Sequence, residues 1–291
     1  MTAVPLQPVT AVPSRRWLAG LALTILMIGL SLAVWAVLIE PAWVVTRERA
    51  VPIARWPAAL GPLKIVALAD LHTGAPHITV EKLRDIVTSV NAARPDLIVL
   101  LGDYVIHGVV GGRIVEPEPT AAALRDLRAP LGVFAVLGNH DWWYDGARVA
   151  RALEGAGIRV LEDTAVSVTA NGRPLWIAGV SDALTRRADV TRALAPVPEG
   201  APVIVLTHHP DLFVRMPARV LLTLAGHTHG GQVNLPVLGR LIVPSRYGER
   251  YAIGHVHENG RDLFVTPGIG TSIVPVRFRV PPEISLITVG R

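Results

Sequence analysis

Beyond residue 60 the apolar residues of this chain fall in short unbroken blocks, each followed by polar residues. Blocks of this length bounded by turn signals read as buried strands. Five stand out: residues 64–69 (KIVALA), 97–101 (LIVLL), 133–137 (VFAVL), 203–206 (VIVL) and 220–224 (VLLTL). Helical patterns lie between the early ones, at 79–93, 120–127 and 147–154. In the first of these, Val80, Leu83, Ile86, Val87 and Val90 keep the i, i+3, i+4 spacing of one apolar face. Alternation of strand and helix predicts an α/β domain with a sheet at least partly parallel. After residue 160 the pattern becomes strand-rich, with 165–169, 174–180, 262–266 and 284–289. Residues 108–119 (GVVGGRIVEPEP) read as a loop.

A different pattern occupies the start of the chain. Residues 17–39 are 23 positions without a charge. A bilayer core needs about 20 apolar residues. Trp17 stands at one end, and Trp35 and Trp43 near the other, as interfacial anchors do. Arg15 and Arg16 precede the run and Glu40-Pro41 ends it. The expected organisation is a tail at 1–16, a transmembrane helix at 17–39, a linker at 40–61 and one domain at 62–291. The competing reading is a removed signal peptide. It fits less well, because a signal core spans about 7–15 apolar residues and no A-x-A site stands out. The positive flanks, Arg15 and Arg16 against Arg47, Arg49 and Arg55, nearly tie and leave the orientation open. Ser14-Arg15-Arg16-Trp17-Leu18 resembles a twin-arginine export signal, which tips the expectation towards a domain outside the cytoplasm.

Composition narrows the classes. The chain is 51% hydrophobic with 18% charged residues, which excludes a disordered chain. Cysteine is absent, which excludes disulfide scaffolds, cysteine-ligated zinc, iron–sulfur clusters and thiol nucleophiles. The net charge is +5. Five arginines against Glu40 and Glu48 put +3 of it in residues 1–60 and leave +2 for the rest. With aromatics at 5%, neither a basic groove nor a stacking platform for nucleic acid is indicated.

The candidate chemistry follows the five strands. They lead in turn to Asp70-Leu71-His72, Gly102-Asp103, Gly138-Asn139-His140-Asp141, Thr207-His208-His209 and Gly226-His227-Thr228-His229. Ligands of open α/β sheets bind beyond the carboxyl ends of the strands, so these clusters converge in space. Imidazole and carboxylate together suit manganese, iron or zinc. A mixed set of this size suits two ions about 3.5–4 Å apart. Asp103, a lone carboxylate after a strand, is the natural bridge. Each cluster alone has an ordinary reading as a loop, turn or helix cap; all five in order do not.

The same residues resemble the signature of the calcineurin-like metallophosphoesterases over about residues 62–289. Gly226-His227-Thr228-His229-Gly230-Gly231-Gln232, His209-Pro210-Asp211 and Pro267-Gly268-Ile269-Gly270-Thr271-Ser272 are similar to a membrane-associated bacterial branch. That branch includes transmembrane metallophosphoesterases and UDP-2,3-diacylglucosamine hydrolases. The resemblance implies an α/β four-layer αββα sandwich. It implies Asp70, His72, Asp103 and His229 on a first divalent ion, and Asp103, Asn139, His208 and His227 on a second, with manganese favoured over iron or zinc. His140 would serve the leaving oxygen as general acid. One departure matters: some relatives carry an aspartate three residues after the bridging one to orient this histidine, and here that position is Ile106. Asp141 could substitute or could cap a helix.

The substrate is read less directly. Trp142-Trp143-Tyr144 follow the site, either as an aromatic lip or as helix packing. A membrane helix favours a phosphorylated lipid or sugar-nucleotide lipid such as UDP-2,3-diacylglucosamine, and an outward-facing domain favours an envelope phosphodiester. The alternatives are a nuclease or generic phosphodiesterase of the same superfamily, and a non-catalytic membrane-anchored sensor. His107 reads as a loop residue and His255-x-His257 as a strand face.

Overall fold

A computed structural model describes residues 15–291. Residues 1–14 of the expected tail, and Ser14 of the twin-arginine-like run, lie outside the described residues. Helix α1 (Arg15–Val34) passes through a π-helical turn at Trp35–Ile39 into a 3-10 turn at Glu40–Ala42. No side chain of α1 is buried. Its far end is tied to the domain. Arg277 donates its backbone N–H to Ala36 O (2.9 Å), and His77 Nε2 lies 2.9 Å from Val37 O. The buried Glu40 carboxylate accepts from the Trp35 indole (2.7 Å) and from the Val280 N–H (2.6 Å).

The domain then runs β1 (Val45–Pro52), β2 (Leu63–Leu68), α2 (Val80–Ala92), β3 (Leu97–Leu100), α3 (Pro117–Leu124), β4 (Val133–Ala135), α4 (Asn139–Tyr144), α5 (Gly146–Gly155), β5 (Arg159–Val160), β6 (Thr164–Ala170), β7 (Arg173–Val180), α6 (Val190–Leu194), β8 (Val203–Thr207), β9 (Leu222–Ala225), β10 (Gly254–Glu258), β11 (Arg261–Val265) and β12 (Glu283–Gly290). The strands form two six-stranded sheets, β1-β12-β2-β3-β4-β5 and β10-β11-β9-β8-β7-β6. β2 to β5 pair in parallel, as do β7, β8, β9 and β11. Parallel strands are covered on both faces, which is why they read as unbroken apolar blocks.

The layers follow from which side chains meet. Ile65 and Val99 of the first sheet share one core with Ile177, Ile204 and Leu224 of the second. On the outer face of the first sheet, Val66, Leu68 and Leu100 pack under Leu83, Ile86 and Val90 of α2 and under Val149 of α5. On the outer face of the second, Val205 and Leu263 pack under α6 and under Leu212 and Phe213 of a 3-10 segment. The result is the expected helix–sheet–sheet–helix sandwich.

One boundary is corrected. The segment read as a linker, 40–61, contains β1, which pairs in parallel with β12 from Val45↔Glu283 to Pro52↔Gly290. Val51, Ile53, Trp56 and Leu60 of the same segment are buried in the core between the sheets. The polar run Thr46-Arg47-Glu48-Arg49 conceals an edge strand, which tolerates charge on its open side.

Candidate metal centre

All seven expected ligands converge beyond the carboxyl ends of β2, β3, β4, β8 and β9. Three groups of side chains bring their ligand atoms within 4.8 Å of one another: Asp70, His72 and His229; Asp103, His208 and His227; and His72, Asp103 and His140. Asp103 Oδ2 sits between the first two groups, 3.6 Å from His72 Nε2 and 3.3 Å from His208 Nε2. Asn139 Oδ1 joins at 3.1 Å from His208 Nε2.

Local backbone strain accompanies this convergence. Asp70, His72, Asp103, His227 and His229 all have positive φ, between 43° and 71°. Residues other than glycine avoid this region, and such strain collects at functional sites. The neighbouring glycines make room. A Cβ on Gly138 would lie 2.2 Å from Asp103 Oδ1, and one on Gly226 would lie 2.8 Å from Asp70 Oδ2. The Gly-Asn and Gly-His pairs in the sequence are therefore steric requirements of the cluster.

Hydrogen bonding fixes which ring atoms are free. His72 Nδ1 lies 3.3 Å from Val105 O, and His208 Nδ1 lies 2.7 Å from Leu101 O. A carbonyl only accepts, so both Nδ1 atoms donate and both Nε2 atoms turn into the cluster. There His72 Nε2 meets His229 Nε2 at 3.2 Å, and His208 Nε2 meets His227 Nδ1 at 3.1 Å. Lone pairs of buried nitrogens and carboxylate oxygens thus face one another, the arrangement expected when a cation is to sit between them.

The electrostatics agree. Burial pushes His72 down to about 3 and holds His227 and His229 well below the usual imidazole range, so these rings are neutral. Burial also pushes Asp70 up to about 7. Burial opposes the charges on Asp103 and His208 as well, but each stabilises the other. Asp103 is held well below the usual carboxylate range and His208 is pushed up to about 10. Buried oxygen and imidazole donors with matched second hydrogen bonds fit divalent ions of the manganese, iron and zinc class.

His140 stands at the edge of this cluster, with Nε2 3.9 Å from Asp103 Oδ2. Its backbone N–H donates to Asp103 Oδ1 (2.9 Å), and its buried Nδ1 has no partner. Ile106 is buried against Ala75 and Val109 and offers it nothing polar. Asp141 does not orient it either. That carboxylate accepts the backbone N–H groups of Gly138, Asp103 and Tyr104, each at 2.8 Å, and of Val105 at 3.3 Å. Ring packing positions His140 instead: His72 edge-on at 4.7 Å and Trp143 at 4.9 Å between centroids.

The aromatic triplet divides. Trp142 packs inward and receives the Arg186 guanidinium 4.3 Å above its ring. Tyr144 donates its hydroxyl to Glu116 (2.6 Å). Trp143 alone is exposed at the mouth, where it lines a cavity of about 370 Å³ with Asp103, His140, Leu184, Ile242 and Ile273. A second cavity of about 670 Å³ shares His227, Leu184 and Pro244 with the first. His255 and His257 sit on β10, both 2.8 Å from Asp262 Oδ1, outside the metal-ligand groups.

No local pattern in the chain marks Arg277. It is fully buried and donates to the carbonyls of Pro267, Gly268, Gly270 and Val280 at 2.5–3.2 Å, fixing the loop that packs behind Asp70 and His72. His209, part of the fourth cluster but not an expected ligand, packs its ring 4.2 Å from His227.

Comparison with known proteins adds a family and relatives. A family profile described as calcineurin-like phosphoesterase matches residues 63–259. The chain is 31% identical over 253 residues to the metallophosphoesterase YkuE of Bacillus subtilis, covering 86% of this chain and 87% of that one. It is 29% identical over 257 residues to the phosphodiesterase YaeI of Escherichia coli, covering 85% and 89%. It is 29% identical over 252 residues to a transmembrane protein with metallophosphoesterase domain from Danio rerio, covering 81% of this chain and 55% of that longer protein.

Proposed function

The chain belongs to the calcineurin-like phosphoesterase family and is a phosphoester hydrolase, and on that premise we propose that it acts with two divalent ions on a phosphorylated lipid or other envelope substrate. Asp70, His72, Asp103 and His229 would hold one ion, and Asp103, Asn139, His208 and His227 would hold the other, with manganese the first to test. When bound, the ions neutralise charge on the phosphoryl oxygens and lower the pKa of the attacking water.

The protein supplies the rest. Gly138 and Gly226 leave the space in which the carboxylates of Asp103 and Asp70 reach the centre. His140 Nε2 faces the open side and delivers a proton to the leaving oxygen. Burial lowers its pKa, partly opposed by Asp103, so the resting ring is neutral and donates only after it has taken up a proton. Trp143 packs against that ring at a tilt of 55°.

The apolar cleft carries the substrate reading. Leu184 and Pro244 connect the metal centre to a second cavity walled by Leu212, Val214 and Val243, with Arg215 and Arg246 beside them. Apolar walls with a few polar groups accept an amphiphile, and the arginines suit a second phosphate. The exposed apolar helix α1, long enough to cross a bilayer, supports a single-pass anchor, as does a relative named as a transmembrane protein. A domain outside the cytoplasm would favour an envelope phosphodiester over UDP-2,3-diacylglucosamine.

Phosphorus NMR of the manganese-loaded protein tests this reading, with Asp103→Asn as control. Release of UMP from UDP-2,3-diacylglucosamine by the unsubstituted protein alone would identify a sugar-nucleotide lipid substrate. Cleavage of an aryl phosphodiester only would keep the chemistry and move the substrate to the envelope. Cleavage of neither with any of the three metals would overturn it.

A further inference from the structure

Two loops at the mouth of the metal centre hold apolar side chains out in solvent. The first is a tight turn closed by backbone hydrogen bonds between Leu235 and Gly239 in both directions (2.9 Å). It exposes Val237 and Leu238, and the chain beyond it exposes Leu241 and Ile242. The second, between β11 and β12, exposes Ile273 and Val274. Ile242 and Ile273 also line the cavity over Asp103 and His140.

The backbone at these tips is unusual. Val237 has φ 68° and Ile273 has φ 62°. In this left-handed region a branched Cβ crowds the following carbonyl, and glycine or asparagine is the ordinary occupant. Water returns nothing to a strained and exposed valine or isoleucine, whereas an apolar phase does.

The position of the tips indicates which apolar phase. Gln232 ties the two loops together, its Oε1 accepting the Ser272 N–H (2.6 Å) and its Nε2 donating to Val274 O (3.3 Å). The Arg277 N–H donates to Ala36 O at the end of the apolar helix. Ile273 is four residues from Arg277, so at most about 14 Å of chain separates it from that contact. Trp35 to Ile39 are themselves largely exposed and apolar. The helix end, both tips and the mouth of the centre therefore lie on one side of the domain. Arg246 and Arg279, both exposed, follow the two apolar tips, as suits anionic headgroups.

We propose that the two tips form a collar that enters the same lipid bilayer as α1, so that the metal centre opens onto the headgroup layer. This rests on the reading of α1 as membrane-inserted. The collar explains why apolar side chains occupy strained, exposed positions at this mouth, and it lets a lipid phosphate reach Asp103 without leaving the membrane.

The absence of cysteine allows single nitroxide labels in the full-length, manganese-loaded protein. Leu26→Cys in α1, Val237→Cys, Ile273→Cys and the exposed Glu199→Cys would be placed in phosphatidylethanolamine–phosphatidylglycerol vesicles. Accessibility to oxygen is then compared with accessibility to a water-soluble nickel chelate. The expected result is that the labels at 237 and 273 follow the label at 26 in favouring oxygen, while that at 199 favours the chelate. Labels at 237 and 273 that follow 199 while 26 stays in lipid would overturn the collar alone. A label at 26 that favours the chelate would overturn the anchor and the collar with it. Independently, Val237→Glu combined with Leu238→Glu should slow hydrolysis of a vesicle-borne phosphodiester about a hundredfold, the effect of withdrawing two apolar side chains from lipid. Neither residue lines the metal cavity, so hydrolysis of a soluble aryl phosphodiester should be unchanged. Equal slowing on both substrates, or on neither, would also overturn the collar.

Discussion

Asp141 accepts the backbone N–H of Asp103 at 2.8 Å, and so fixes the strand end bearing the shared carboxylate to the helix start bearing Asn139 and His140. The same carboxylate binds the N–H groups of Gly138, Tyr104 and Val105. An amide can accept on one side only and would turn its NH2 towards donors on the other. Asp141→Asn should therefore destabilise the fold by about 1–3 kcal/mol and weaken metal retention. Thermal melting of the metal-free form checks this; an unchanged midpoint would show that the four contacts contribute nothing.

Metal loading should release protons. Asp103 keeps a proton on His208 up to about pH 10, and burial keeps one on Asp70 up to about pH 7. Both must leave before a cation enters, so affinity should rise with pH. Calorimetry in buffers of different ionisation enthalpy reads the protons directly. Without metal the sign is also set. Both groups have folded pKa values raised above their unfolded ones, so they bind more protons when folded. Their contribution to stability is complete below the unfolded values, 6.5 for His208 and 3.8 for Asp70, and is lost as pH rises through about 10 and about 7 respectively. The depressed Asp103 works in the opposite sense at acid pH. The metal-free protein should melt lower at pH 9 than at pH 6, and addition of manganese should reverse the order.

Removing His140 should separate catalysis from metal binding. A general acid contributes about 10²–10⁴-fold, so His140→Ala should lose activity on that scale while keeping both metals. His208→Ala should lose a metal as well. Metal content by mass spectrometry beside kcat decides this; loss of metal in His140→Ala would make that ring a ligand.

Arg277 is the residue whose loss should unfold the loop behind the site. Burial lowers its pKa to about 10, leaving it charged at neutral pH, and its guanidinium serves four carbonyls that have few alternatives. Arg277→Met should destabilise by about 3–5 kcal/mol. Lysine should not rescue it, because an ammonium lacks the planar fork. Urea denaturation gives the value.

The site was legible because each cluster follows an apolar block, and a parallel sheet delivers such clusters to one edge. The four-layer arrangement was implied by the family resemblance, and the alternation of strand and helix agrees with it. The remainder depended on tertiary contacts with no local pattern. Nothing in Val276-Arg277-Phe278 announces a buried guanidinium. Thr46-Arg47-Glu48-Arg49 reads as connecting chain because only the inner side of an edge strand must be apolar. Asp141 had two roles open to it in the sequence; the backbone N–H groups that turn towards it decided between them. His140 lacks its expected carboxylate neighbour, and only the edge-on and tilted ring contacts with His72 and Trp143 show what replaces it.

The place of β12 has a consequence for synthesis. Strand β12, which follows the other eleven in the chain, lies between β1 and β2, which precede the rest. A ribosome that has not released residues 283–290 holds a chain whose first sheet is split, with β1 lacking its partner and one edge of β2 open. Helix α1, by contrast, precedes every strand of the domain and emerges before them. Ribosome-bound intermediates should therefore be protease-sensitive until residues 283–290 have emerged.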